Sequence, residues 1–331
     1  MCEEKKVIYG QFFTTEKTWL KKHILDFIYS SKCDVVYDPF AGAGDLLRVA
    51  EDIGFKRTVG LDIDESLKWQ YNDSLINIPH KKNAIIITNP PYLSNYSAAR
   101  KNLINSLKKY FDNSRYDDLY LIALEKMLKA QDYVVAIIPE TFINSNFLLK
   151  NRLNSITVIE ERVFSDTETP VVVACFDGVE KPLSEVGVYK NDTFVNSLGV
   201  IEEKRLLPEK KLKIAFNDKS GWLGVRCVDS TDPNEKLRFD YKEKMNYDWD
   251  NGIKVSSRLL TLVQVDIPQD KRHAFITECN KILNRARLET EDIIFSPFKG
   301  NMKNGVRRRR LDYFTCRAII EKAYDNVIKT Y

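Results

Sequence analysis

Val35-Val36-Tyr37-Asp38-Pro39-Phe40-Ala41-Gly42-Ala43-Gly44-Asp45 runs from an apolar β-branched segment through two glycines into a stretch of helical periodicity that reaches Ile53. Glycine lets the backbone turn sharply and lets a ligand approach the main chain closely. A strand that turns this way into a helix opens a doubly wound α/β sheet, and ligands bind at the carboxyl edge of such sheets. The turn is not a dinucleotide fingerprint, because G-x-G-x-x-G is absent. The acid in front of it, Asp38, would repel a pyrophosphate and attract an ammonium group.

Outward from that turn, short apolar runs alternate with helical patterns as far as Gly178. Thr58 to Ile63, Ala84 to Thr88, Tyr133 to Ile138, Ile156 to Phe164 and Pro170 to Phe176 read as further strands. Ser97 to Phe111, Asp118 to Ala130 and Glu140 to Asn151 read as helices, the second with an apolar stripe of Leu119, Ile122, Ala123, Lys126 and Met127 opposite Glu125 and Lys129. Runs such as Ile85-Ile86-Ile87 suit strands covered on both faces. The predicted fold is an α/β, mostly parallel, Rossmann-like sheet over 1–179, followed by a basic domain of mixed α+β structure over 180–331. In that second part turn residues are denser, and the strong helical patterns are Lys271 to Arg287 and Asp312 to Lys329.

The chain has 331 residues, enough for two domains, and its 44% hydrophobic and 30% charged content belongs to a globular protein rather than a disordered one. No apolar run approaches the roughly 18 residues that span a bilayer, so no membrane partner is expected and the cytoplasm is the expected location. Six scattered cysteines without a C-x-x-C pair argue against disulfides and a zinc site, and three isolated histidines give imidazole chemistry little support. No metal is expected. Of the 51 basic and 47 acidic residues, 29 and 23 fall in 180–331, so the net charge of +4 divides into −2 for the first part and +6 for the second. The densest positive stretch holds Lys299, Lys303 and Arg307-Arg308-Arg309-Arg310. It reads either as a mobile loop able to neutralise phosphates or as a solvated cluster.

Further acids and one tetrapeptide complete the pattern. Asp62 ends the second strand, where a ribose would present its hydroxyls, and Asp64 is placed to begin or cap a following helix. Asp73, in Asn72-Asp73-Ser74-Leu75, could accept from an adenine amino group or serve as a cap or turn residue. Asn89-Pro90-Pro91-Tyr92 follows the buried run Ala84 to Thr88. Its prolines fix φ and remove two donors, which leaves carbonyl acceptors at the strand end. An asparagine carbonyl and the Pro90 carbonyl could accept from a planar amino group, while Tyr92 offers a face for a base.

With these motifs the sequence resembles the amino-group DNA methyltransferases that use S-adenosylmethionine, specifically the gamma-type N6-adenine enzymes of restriction-modification systems. The likeness covers roughly Tyr9 to Phe176. Gly10-Gln11-Phe12-Phe13-Thr14-Thr15 is similar to the family's N-terminal cofactor segment, with Thr15 where proline is common. The resemblance implies cofactor contacts from Gln11, Phe13, Thr14, Asp38, Pro39, Phe40, Gly42, Gly44, Asp62, Ile63, Asp73, Ser74 and Asn89. It implies catalytic roles for Asn89, Pro90, Pro91 and Tyr92, and gives Phe164, in Val163-Phe164-Ser165-Asp166, the task of holding a flipped base. Lys299, Lys303 and Arg307 to Arg310 would then contact double-stranded DNA. The chain would act as a monomer, with any cognate restriction endonuclease acting separately. Protein-glutamine and RNA amino-group methyltransferases need a similar socket, and a non-catalytic DNA-binding specificity subunit is the rival from another class.

Overall fold

The computed structural model describes residues 17–164, 167–249 and 259–329. The chain divides into two compact units, 1–199 and 200–331.

The first unit is built on nine strands: β1 (Val35–Asp38), β2 (Arg57–Asp62), β3 (Gln70–Tyr71), β4 (Ala84–Thr88), β5 (Tyr133–Pro139), β6 (Leu153–Ile159), β7 (Val171–Asp177), β8 (Gly187–Lys190) and β9 (Thr193–Ser197). Their order is β3-β2-β1-β4-β5-β7-β6-β8-β9. From β3 to β5 all neighbours are parallel, in registers such as Val36 with Thr58 and with Ile85. Strand β7 runs antiparallel between β5 and β6. The expected α/β, mostly parallel sheet is therefore present. Strand order reverses between β1 and β4, so the chain leaves these neighbouring strands in opposite directions and opens a crevice at their carboxyl ends.

The helices follow the burial demand of that sheet. α1 (Lys22–Ser30) and α2 (Asp45–Asp52) bury Ile24, Phe27, Ile28, Leu46, Leu47 and Val49 in one core with Val36, Ile85, Ile87 and Val135. Helix α2 starts where Gly44 takes a left-handed φ of 81°. The single helix expected over Ser97 to Phe111 is two, α3 (Asn95–Arg100) and α4 (Ile104–Phe111), separated at Asn102 by a φ of 56°. Beyond them α5 (Leu119–Ala130) is buried on most sides rather than along one stripe, as befits a helix apolar nearly all round. Glu140 to Asn151 forms two short 3-10 turns instead of a helix. Lys150 Nζ donates to the carbonyls of Ile143 and Ser145 at 2.8 and 2.7 Å, satisfying groups that a continuous helix would have bonded internally.

No helix separates β2 from β3, which pair in parallel through Asp62 and Tyr71. Asp64 therefore caps a turn: its Oδ1 accepts from the Ser66 amide and hydroxyl at 3.0 and 2.7 Å. One indole covers the sheet there. A Cβ at Gly44 or Gly60 would lie 2.6 or 2.5 Å from the Trp69 ring, so glycine at both positions is a packing requirement of Trp69.

The sheet continues past the expected boundary at 179/180. Strand β8 pairs in parallel with β6, and β9 folds back on it through Asn191-Asp192, where Asn191 adopts a φ of 50° suited to a tight hairpin turn.

The second unit contains a four-stranded antiparallel sheet, β10 (Ile214–Phe216), β13 (Leu260–Val265), β11 (Leu223–Arg226) and β12 (Arg238–Tyr241) in that order. Helices α6 (Arg272–Glu289) and α7 (Tyr313–Val327) pack on each other, close to the limits expected from periodicity. A hairpin of β14 (Ser296–Asn301) and β15 (Arg307–Arg310) completes it. Cys33, Cys175, Cys227, Cys279 and Cys316 are free thiols. Among the described residues no helix is long and apolar enough to cross a membrane.

Candidate active site at the carboxyl edge of the sheet

Asp38 ends β1 and is only 2% exposed. Its Oδ1 accepts from the Phe40 amide at 3.0 Å and from the Thr88 hydroxyl at 2.5 Å. Burial is the main influence on this carboxyl and raises it to about 7; the two hydrogen bonds oppose that rise, while Asp62 and Asp45 add to it. A cation bound beside it would restore its charge. Thr88 is the residue before Asn89, so one hydroxyl ties the buried acid to the start of Asn89-Pro90-Pro91-Tyr92. Sequence reading missed Thr88. Its signal was a hydroxyl at the last position of an otherwise aliphatic buried strand.

Asp62 braces the glycine turn. Its Oδ2 accepts from the Gly42 amide at 2.8 Å and its Oδ1 from the Asp64 amide at 2.9 Å. Each carboxylate oxygen has two lone-pair sites, so these bonds leave capacity for a ribose. The turn is also held by the Ala41 amide on the Leu61 carbonyl at 2.9 Å and by Trp69 Nε1 on the Gly42 carbonyl at 2.8 Å. Trp69 is a second residue that sequence reading missed, because its partners lie up to 27 positions away. Beside Asp62, Ile63 keeps 46% of its surface exposed, an apolar face where a nucleobase could lie.

Asp73 lies just beyond β3. Its Oδ2 accepts from Lys109 Nζ and the Tyr110 hydroxyl, both at 2.9 Å. Its Oδ1 is buried and lacks a donor among the described residues. Ser74 is buried, with its hydroxyl oxygen accepting from Asn72 Nδ2 at 2.8 Å. Pro39 and Gly44 are buried, while Phe40 and Gly42 are partly open. Gln11, Phe13 and Thr14 lie outside the described residues.

The loop after β4 is held from several sides. Pro90 is buried, whereas Asn89, Pro91 and Tyr92 are partly exposed. The Tyr92 hydroxyl donates to the Ile137 carbonyl of β5 at 2.6 Å, and its ring meets Tyr120 and Phe164 edge-on, with centroids 6.5 and 6.1 Å away. Burial pushes the Tyr92 phenol well above its ordinary value, and Tyr120 adds to this. Tyr92 is thus a fixed ring rather than an acid or base. Phe164 requires a correction: at 1% exposure it belongs to the core behind Tyr92 and offers no face to a base.

The basic run also differs from the expected loop. Arg307–Arg310 is a strand with alternating burial, which leaves Arg307 5% and Arg309 1% exposed. Arg309 Nη1 donates to the Phe295 carbonyl at 3.4 Å, and its amide donates to Asp229 Oδ2 at 3.0 Å. Asp229 is fully buried and receives both terminal nitrogens of Arg287 at 3.0 Å. Burial works against the Arg287 charge, but Asp292 and Asp229 more than offset it and hold the guanidinium above its usual value. Arg307 and Arg309 cannot reach a phosphate from these positions. Arg310, Lys299 and Lys303 are exposed, and Arg308 stacks 4.8 Å from the Phe298 ring.

Residues 51–164 match the model of the Eco57I restriction-modification methylase family. No match is found among curated proteins. Among solved structures, the chain is similar to a class I S-adenosylmethionine-dependent methyltransferase from Listeria monocytogenes, at 14% identity and a TM-score of 0.39 over 56% of this chain and 67% of that one. It is similar to a type I restriction enzyme modification subunit from Vibrio vulnificus, at 16% identity and 0.39, over 55% of this chain and 47% of that one. A type I methyltransferase subunit from Streptococcus thermophilus gives 15% and 0.39, over 55% and 48%. The match thus spans about half the length of these two subunits. Over residues 51–164 the resemblance read from the motifs is borne out, and that segment carries the signature of the Eco57I restriction-modification methylases.

Proposed function

We propose that the chain is an S-adenosylmethionine-dependent DNA methyltransferase that modifies the N6 amino group of an adenine turned out of duplex DNA. The observation that carries this reading is the Thr88 to Asp38 hydrogen bond, which sets a buried acceptor for an ammonium group next to a loop of acceptors for an aromatic amine. The residues present fit the cofactor. Asp38 would take the amino-acid end, the glycine turn braced by Asp62 would give close approach, and Asp62 would hold the ribose. Ile63 would lie against the adenine, and the donor-less Oδ1 of Asp73 would receive its amino group.

When bound, the sulfonium supplies an electrophilic methyl group. The exocyclic amino nitrogen of adenine is a weak nucleophile because its lone pair is delocalised into the ring. The side-chain carbonyl of Asn89 and the backbone carbonyl of Pro90 accept its two N–H groups, favour a pyramidal nitrogen and stabilise the positive charge that grows there. Pro91 keeps the loop extended, and the rings behind Tyr92 hold it in place. Extruding the base costs a few kcal/mol, which stacking on Tyr92, about 1–3 kcal/mol, offsets. The proton would leave to solvent after transfer, so a dedicated base is optional.

Lys299, Lys303, Arg308 and Arg310 of the second unit contact the phosphates or base edges of double-stranded DNA, with Arg307 and Arg309 serving as their scaffold. The chain acts as a monomer in the cytoplasm and protects DNA against an endonuclease carried on a separate chain. The test is to incubate the protein with methyl-labelled donor and, separately, duplex DNA, RNA and a protein extract. N6-methyladenine in duplex DNA is the expected product. Label on cytosine, on RNA or on protein glutamine would overturn the assignment.

A further inference from the structure

The two oxygens of Asp73 have unlike surroundings. Oδ2 is held twice, by Lys109 Nζ and the Tyr110 hydroxyl at 2.9 Å each, and Oδ1 is buried without a donor among the described residues. Both holding groups come from α4, which follows the Asn89-Pro90-Pro91-Tyr92 loop by way of α3. Tyr110 is buried, and the Lys109 ammonium sits 4.7 Å from its ring. Asp73 itself lies at the same sheet edge as Asp62, because the Asn72 amide donates to the Asp62 carbonyl at 2.9 Å.

A carboxylate oxygen accepts hydrogen bonds, and Lys109 and Tyr110 both donate to Oδ2. With Oδ2 gripped by two donors the group cannot rotate freely, so Oδ1 remains the acceptor on offer. A 6-amino purine brings the donor that Oδ1 lacks. A 6-oxo purine brings a second acceptor against it, leaving two buried acceptors facing each other.

Resting on the cofactor reading above, we propose that Lys109 and Tyr110 are positioning residues that set the purine selectivity of the cofactor site, by locking Asp73 as a fixed acceptor for a 6-amino group. Lys109 and Tyr110 belong to none of the sequence motifs quoted above and place no group of their own on the cofactor.

Calorimetric titration of the full chain with S-adenosylhomocysteine and with its 6-oxo counterpart, S-inosylhomocysteine, reads this without any turnover. The wild type is expected to prefer the adenosyl compound by at least about 10²-fold, since a site built around a polar partner rejects the analogue that lacks it. Tyr110→Phe and Lys109→Met should each narrow that ratio severalfold, and the double variant by about tenfold. Asp73→Asn, whose amide can donate to an oxo group, should bring it near one. Thermal melting of Lys109→Met, altered at a half-exposed side chain, guards against a folding defect. A double variant whose ratio equals that of the wild type, whatever happens to the two affinities, overturns the proposal. A wild type that binds neither compound removes the cofactor reading and this proposal with it. A wild type that binds both equally removes the selectivity alone.

Discussion

Two regions of this chain bury charge, and they do so in opposite ways. In the second unit, Asp229 is fully buried but is met by the two terminal nitrogens of Arg287 and by the amides of Leu237 and Arg309. In the first unit, Asp38 is almost as deeply buried, yet it has two neutral donors and only acids among the charges that act on it. Burying a charge is expensive unless a counter-charge comes with it. Where the protein supplies the counter-charge, as at Asp229, the cluster is scaffold. Where it does not, as at Asp38, the group suits the cationic end of the cofactor proposed above.

The sharpest break in this comparison is at the loop tied to Asp38. Asn89→Ala should lower methyl transfer about 10³-fold while changing the cofactor dissociation constant less than threefold. A comparable loss of cofactor affinity would mean that Asn89 serves the cofactor rather than the amine. Next in size is the scaffold side. Asp229→Ala leaves Arg287 with Asp292 alone and removes the acceptor of two backbone amides, so it should cost about 3–5 kcal/mol in urea unfolding. A loss below about 1 kcal/mol would show that the cluster does not organise the unit.

Asp38 tests the other half of the contrast through pH. Its carboxyl is raised in the folded protein to about 7, so the cofactor-free fold binds this proton more tightly than the unfolded chain does. The stability linked to it is fully present below the unfolded value, near 4, and is lost as pH rises from there through 7. Asp38→Asn removes that loss. Relative to the wild type, the variant should gain on the order of 2 kcal/mol between pH 5 and pH 8 in cofactor-free unfolding, yet bind cofactor about 10²-fold more weakly at pH 8. Wild-type affinity should rise from pH 6 to pH 8 as the ionised acid becomes available without a proton having to leave. Equal pH dependence of stability in the two proteins would show that Asp38 carries no unmet charge.

The motifs of the first unit were readable because strands covered on both faces are continuous β-branched runs and the residues that end them are abrupt: an acid, a glycine, a proline pair. What could not be read depended on neighbours distant in sequence. Trp69 covers Gly44 and Gly60, and Thr88 reaches Asp38 across 50 positions. Phe164 has the composition of a site residue and the burial of a core one, and nothing in its flanking sequence distinguishes the two. The arginine run departs from expectation for a different reason. Four identical residues have no hydropathy contrast, so the period of two that sends Arg307 and Arg309 inward is invisible until β14 and Asp229 are placed. The break at Asn102 was equally hidden, since a left-handed asparagine leaves no gap in a helical pattern.

That period of two supplies the smallest and most discriminating test. Arg308 and Arg310 lie on the opposite face of β15 from Arg307 and Arg309. If the outward pair meets phosphates, the double variant Arg308→Ala, Arg310→Ala should lower duplex affinity roughly tenfold at physiological salt and flatten the slope of log affinity against log salt by about two, one unit for each phosphate that an arginine no longer neutralises. Unfolding should be less affected than in Asp229→Ala, because Arg310 is exposed and Arg308 gives up its bonds to the backbone carbonyls of Asp229 and Lys299 and its stacking on Phe298. The inward substitution Arg309→Met should do the reverse, changing stability while leaving the salt slope at its wild-type value. If both variants shift the slope alike, the strand does not sort its arginines by face, and the distinction between charge met inside the protein and charge left for a ligand fails in the second unit.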